Sequence, residues 1–100
     1  IIGEVNNGGD LIESNLRSID RNVSYRSVRA SRGKVVRAEP VAALYEKGMV
    51  HHAGQFVALE DQMCSWDPLT AVKSPDRIDA LVWAVTELTR VRGGNRVILA

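Results

Sequence analysis

The sequence is short of the residues that most often announce a function. Its 100 residues include one cysteine, Cys64. A single thiol excludes an internal disulfide and cannot build a cysteine-rich zinc site. No apolar run reaches the roughly 18 residues that a membrane span needs. No signal peptide is visible, so the expectation is a cytoplasmic protein with no membrane partner. Charge of one sign is lacking as well. Thirteen Lys and Arg stand against twelve Asp and Glu, a net charge of +1. Any nucleic-acid binding must then come from a local patch and not from a general polycation. The chain also lacks a nucleotide-binding P-loop. Ser31-Arg32-Gly33-Lys34 does not have the glycine spacing of one, and ATP binding is not supported. There is no internal repeat and no low-complexity block.

What remains reads as one small globular domain. The hydrophobic fraction is 45% and the charged fraction 25%, both ordinary values. The chain opens on Ile1, already inside a strand-like segment, which suggests the later part of something longer. Residues 1–5 read as a short strand. Asn6-Asn7-Gly8-Gly9 is turn chemistry, since Asn and Gly tolerate positive φ. Asp10 and Glu13 then have capping-box spacing. The helix that follows, through about Ser18, carries Ile12, Leu16 and Ile19 on one face. Residues 22–30 alternate as a strand of moderate quality, with Tyr25 and Val28 on opposite faces.

Pro40 suits the first turn of a second helix, with Val41, Leu44 and Tyr45 apolar and Gly48 as its stop. A start near Lys34 would place Pro40 inside the helix and interrupt it. Residues 49–52 form a short strand. Phe56, Leu59, Met63 and Trp66 mark a third helix over residues 55–66, ended by Asp67-Pro68. Ser74-Pro75-Asp76 is a helix start. The helix runs to about Arg90 and turns Ile78, Leu81, Val82, Val85 and Leu88 to the core. Val97-Ile98-Leu99 is either a loose end or one more strand. Helices alternating with strands give an α/β layered fold.

Three acids stand out as candidates for chemistry. Glu4 lies in the first strand, and Asp76 and Asp79 lie one turn apart on the last helix. Asp79 borders the apolar stripe, so it belongs near the core boundary. Asp76 alone reads best as a first-turn partner of the helix dipole, paired with Arg77 or Arg90. Glu4 is equally well an exposed strand residue. Carboxylates converging from a strand and a helix would make a hard oxygen site for Mg²⁺ or Mn²⁺. Two such ions can drive phosphodiester hydrolysis. Spacing alone does not bring Glu4 and Asp79 together.

The second candidate is basic. Arg26, Arg29, Arg32, Lys34 and Arg37 fall within twelve residues. Such a patch can contact phosphates without reading bases, although a solvated connector explains the same composition. Other features are weaker. His51 and His52 are adjacent, so on a strand they point to opposite faces and do not chelate one ion together. They fit a surface or an edge. Cys64, beside Met63 and Trp66, reads as packed and not as a nucleophile. Trp66 and Trp83 fit core or boundary positions. The double glycine is a weak anion-binding signal.

Four segments, taken in order, carry a family resemblance. They are GEVNNGGDLIESNLR, VRASRGKVVRAEPVAALYEKGMVHH, LEDQMCSW and SPDRIDALVWAVTEL. The set resembles the C-terminal nuclease domain of tailed-phage terminase large subunits, the DNA-packaging proteins also found in prophages and gene transfer agents. It covers residues 1–88. The middle segments match terminases better than resolvases or transposases.

The resemblance implies a ribonuclease-H-like fold, a mixed sheet flanked by helices, lacking its N-terminal strands here. It implies an endonuclease dependent on Mg²⁺ or Mn²⁺ that cuts concatemeric double-stranded DNA in the host bacterial cell. In the family, acids come from a first strand, from a later strand followed by Asn and Gly, and from a late helix. Glu4 matches the second position. Asp79 matches the third, with Asp76 as an auxiliary metal ligand. The first would lie upstream of this chain, as would an ATPase domain. The resemblance implies partners through the full protein: double-stranded DNA, a portal and a small terminase subunit, in an oligomeric motor. On this reading residues 1–90 are the later part of the nuclease domain and residues 91–100 a C-terminal tail. Arg29, Arg32, Lys34 and Arg37 would face DNA. The competing expectation is a non-catalytic α/β module that binds DNA or protein through its basic loop.

Overall fold

A computed structural model of the chain describes residues 1–5, 9–67, 69–70, 75–92 and 97–99. The chain divides into two compact units, Ile1–Arg32 and Gly33–Ala100.

The first unit is a β-α-β arrangement. Strand β1 (Ile2–Glu4) is followed by helix α1 (Asp10–Ile19) and strand β2 (Arg26–Val28). The two strands run parallel, with Ile2 opposite Arg26 and Glu4 opposite Val28. Gly9 is the N-cap of α1 and has φ −61°, so positive φ is not what calls for glycine there. Space is: a side chain on Gly9 would overlap that of Val5, and one on Gly3 would overlap the Tyr25 ring. Asp10 is the first helical residue of α1 and Gly9 caps it without a side-chain bond, so the expected Asp10–Glu13 capping box is not formed. The rest of that turn, residues 6–8, lies outside the described residues.

Two further expectations change in this unit. Of the predicted apolar stripe, Leu16 is half-buried, while Ile12 and Ile19 are exposed. The second strand is also shorter than its alternation suggests. The Arg17 guanidinium donates to the carbonyls of Arg21 and Val23, and Asp20 Oδ1 accepts from the Asn22 amide. These bonds hold residues 20–23 in a turn and leave only the last part of the segment for pairing.

The second unit contains helix α2 (Lys34–Glu46), strand β3 (Val50–His52), helices α3 (Val57–Ser65) and α4 (Asp76–Arg92), and strand β4 (Val97–Leu99). Strands β3 and β4 are parallel, with Val50 opposite Val97, so residues 97–99 form a strand. Helices α2 and α3 both pack on α4. The core joins Val41, Val50, Ile78, Leu81, Val82, Val85 and Val97. Val85 is fully enclosed, which contributes roughly 1.5 kcal/mol or more to stability. Leu88, expected in the core, lies at its edge and is 36% exposed. Cys64 is exposed on α3 and not packed. Trp66 and Trp83 are half-buried.

The start of α2 corrects the sequence reading. The helix begins at Lys34, and Pro40 lies inside it. Pro40 lacks the amide that would bond the Val36 carbonyl. That carbonyl belongs to the exposed side of α2, where Pro40 is exposed and Val36 is 47% exposed. Water can replace the lost bond there, so the helix tolerates the break. The other end follows expectation. Gly48 has φ +68°. Its amide bonds Tyr45 O and the Met49 amide bonds Leu44 O, the paired bonds of a Schellman stop.

The chain is α/β, as expected, but its pairing is simpler than one mixed sheet. Among the described residues there are two separate two-stranded sheets, both parallel.

Candidate functional site

Glu4 is the last residue of β1 and is exposed. Its register partner, Val28, ends β2, and the Val5 amide bonds Val28 O at 2.9 Å. Glu4 therefore stands at the carboxyl edge of a parallel pair, the edge where ligands bind in open α/β sheets. Arg29 and Arg32 follow β2 and are exposed. All three belong to the unit Ile1–Arg32.

Asp76, Asp79, Lys34 and Arg37 belong to the other unit. Asp76 and Asp79 occupy the first turn of α4. Ser74, the predicted N-cap, lies outside the described residues. The Pro75 carbonyl accepts the first helical bond, from the Asp79 amide at 2.8 Å.

Asp76 is exposed, and its Oδ1 accepts from Gln62 Nε2 at 3.0 Å and from the Arg77 amide at 2.9 Å. The Gln62 bond, then the Arg77 amide, hold its carboxyl below the usual range. The Arg77 guanidinium is 3.8 Å away, a loose surface contact. Arg90 pairs with Glu87 instead.

Asp79 lies at the core boundary, as its position beside Ile78 implied, with a side chain 19% exposed. Lys34 Nζ lies 2.7 Å from its Oδ2. One turn along α2, the Arg37 guanidinium lies over the Trp83 ring at 5.2 Å from the centroid, within cation–π range. The structure thus brings together Lys34 with Asp79 and Arg37 with Trp83. Both cations of α2 engage its partner helix α4.

A polar chain in the same unit escaped the sequence reading. The Tyr45 hydroxyl lies 2.8 Å from His52 Nε2, and His52 Nδ1 lies 3.0 Å from Glu60 Oε2. Glu60 also accepts from the Phe56 amide. These bonds, the one from His52 first, lower the Glu60 pKa. Burial, with the Glu60 charge nearby, raises that of Tyr45. The signal was alternation: His52 is two residues from buried Val50, so it shares the inward face of β3.

The other flank of α4 has an open groove of about 360 Å³, lined by Phe56, Leu59, Ala84 and Leu99, with Arg77 as its charged residue. Among the described residues its lining has no carboxylate.

Among the described residues no three His, Cys, Asp or Glu side chains gather as a metal cluster, and no helix is long and apolar enough to cross a membrane. The donor chemistry at α4 nevertheless suits a hard cation. Asp76 and Asp79 offer carboxylate oxygens, and Asp79 already holds an ammonium.

A family model described as a terminase RNaseH-like domain matches residues 3–88. No curated protein and no solved structure matches the chain.

Proposed function

The chain belongs to the terminase RNaseH-like domain family, and from that premise we propose that it is the endonuclease part of a phage DNA-packaging terminase, cutting concatemeric double-stranded DNA by phosphodiester hydrolysis. The observation that carries the reading is Asp79. It is a half-buried carboxylate that holds a cation at 2.7 Å, within the matched region and at the start of a late helix.

Glu4 and Asp79 are the proposed ligands of Mg²⁺ or Mn²⁺, with Asp76 as an auxiliary. When bound, such ions polarise the phosphate and activate a water for attack. Each residue has local support for its part. Glu4 is an exposed residue at the end of a parallel strand. Asp79 is in the first turn of α4, at the helix end that attracts negative charge. Asp76 is kept ionised by Gln62 and the Arg77 amide. Arg29, Arg32, Lys34 and Arg37 are the proposed phosphate contacts, giving affinity without base reading. The portal, the small terminase subunit and an oligomeric motor are proposed partners of the full protein, in the bacterial cytoplasm.

The test is separation of function in the full-length protein. Glu4→Ala and Asp79→Asn should each abolish Mn²⁺-dependent cleavage of duplex DNA and leave DNA binding intact. Cleavage that survives both substitutions would overturn the site. A parent protein that binds DNA and never cuts it with metal would instead be a binding module.

A further inference from the structure

We infer that Lys34 is a placeholder cation at Asp79: its ammonium holds the carboxylate until a divalent ion binds, and leaves when one does. This rests on the proposed metal site at Asp79.

The electrostatics of the pair are lopsided. Lys34 is the first residue of α2, where the helix dipole carries partial positive charge and disfavours a cation. The first turn of α2 contains no acid to offset it. The ammonium instead reaches a carboxylate 45 residues away in sequence. Asp79 is placed the opposite way, since the first turn of α4 favours its negative charge. The site therefore favours the aspartate charge on its own account, whereas the lysine charge is tolerated at its helix end and not favoured there.

Mobility is lopsided in the same sense. The Lys34 side chain is 40% exposed and that of Asp79 19%. The lysine stem can swing into water, whereas the shorter aspartate is held at the helix boundary. A divalent ion would approach a carboxylate oxygen to about 2.0–2.6 Å. The ammonium sits 2.7 Å from Oδ2. Two cations on that one oxygen would repel at close range, so the arrival of one displaces the other, and the lysine is the one able to move.

The experiment is calorimetric Mn²⁺ titration of the full-length protein at low salt. Lys34→Met should bind Mn²⁺ about two- to fivefold more tightly than wild type, the scale of one half-exposed ion pair. Lys34→Arg, which keeps the competing charge, should not show the gain. Asp79→Asn should lose the binding. Arg77→Met serves as the field control, because its guanidinium contacts Asp76, and it should show less gain than Lys34→Met. Thermal melts verify that each variant is folded, and Lys34→Gln replaces Lys34→Met if the latter is not.

Asp79-dependent binding that is unchanged or weaker in Lys34→Met would overturn the placeholder and leave the metal site standing. An equal gain in Arg77→Met would also overturn it, because a general field would then explain the effect. Absence of Asp79-dependent Mn²⁺ binding in every variant would remove the metal site and the placeholder with it.

Discussion

The hydroxyl of Tyr45 lies 2.8 Å from His52 Nε2, with the two rings edge to face at 5.6 Å. His52 in turn meets Glu60 on its other nitrogen and the Phe56 ring on its far side, at 5.5 Å. The last turn of α2, strand β3 and the first turns of α3 are thereby fastened through one imidazole. With Glu60 ionised, Nδ1 donates to it and Nε2 accepts from the tyrosine.

Removing only the tyrosine oxygen tests the fastening. Tyr45→Phe keeps the ring contact and leaves His52 Nε2 without its donor. The expected loss is about 1 kcal/mol of unfolding free energy, typical of a half-buried hydrogen bond. Urea melts of the two proteins at neutral pH measure it. Unchanged stability would show that water substitutes fully for the hydroxyl.

Acid should act on the same cluster through Glu60. Its folded-state pKa is lowered, chiefly by the His52 hydrogen bond. The unfolded state therefore takes up a proton first as pH falls. The stabilisation is fully present above the ordinary glutamate range and is lost as pH drops through the lowered folded value. Glu60→Gln should flatten this part of the acid limb in a series of melts between neutral pH and the onset of acid unfolding. A variant with an unaltered acid slope would place the sensitivity elsewhere, with Asp76 next in line because its pKa is lowered too.

Helix α2 supports two substitutions with opposite signs. Gly48 holds φ +68° at the helix stop, so Gly48→Ala should cost about 1–2 kcal/mol from the left-handed backbone alone. Pro40→Ala restores an amide that can bond the Val36 carbonyl and should raise stability by about 1 kcal/mol or more. This is the interior-proline penalty less the entropy that proline removes from the unfolded chain. Denaturant midpoints read both. A destabilised Pro40→Ala would mean that a bend at Pro40 is needed to seat Val41 in the core.

The order of elements was legible because each carried a local signal. Periodicity marked α4 through Ile78, Leu81, Val82 and Val85, all buried, and the Gly48 stop was explicit. Errors arose where a local signal had two meanings. Pro40 fits a first turn, but it also fits an exposed helix interior whose lost bond is hydrated. The alternation of residues 22–30 fits a strand, but Arg17 takes the carbonyls of Arg21 and Val23. Asp79 was legible as a boundary residue from its neighbours in sequence. Its partner was not, because a contact across 45 positions leaves no periodic trace. Residues 93–96, which precede β4, lie outside the described residues.

The same long-range contact decides how the proposed DNA face should be tested. Charge reversal at Lys34 would set a carboxylate against Asp79, mixing a folding defect with any loss of phosphate contact. Reversal at Arg37 would remove its contact with Trp83. Arg29 and Arg32 are exposed and lie beyond the end of β2, so reversal there spares the Lys34 and Arg37 side chains themselves. Arg29→Glu and Arg32→Glu in the full-length protein should each weaken duplex binding at low salt. Each should also reduce the slope of log K against log salt by about 1, the share of one phosphate contact. The loss should be equal for unrelated DNA sequences, because a phosphate contact carries no base information. Filter-binding or fluorescence anisotropy between about 50 and 200 mM salt, the range over which such contacts are screened, gives the slope directly. Unchanged slopes for both variants would remove the segment after β2 from the DNA interface and leave binding to the cations of α2.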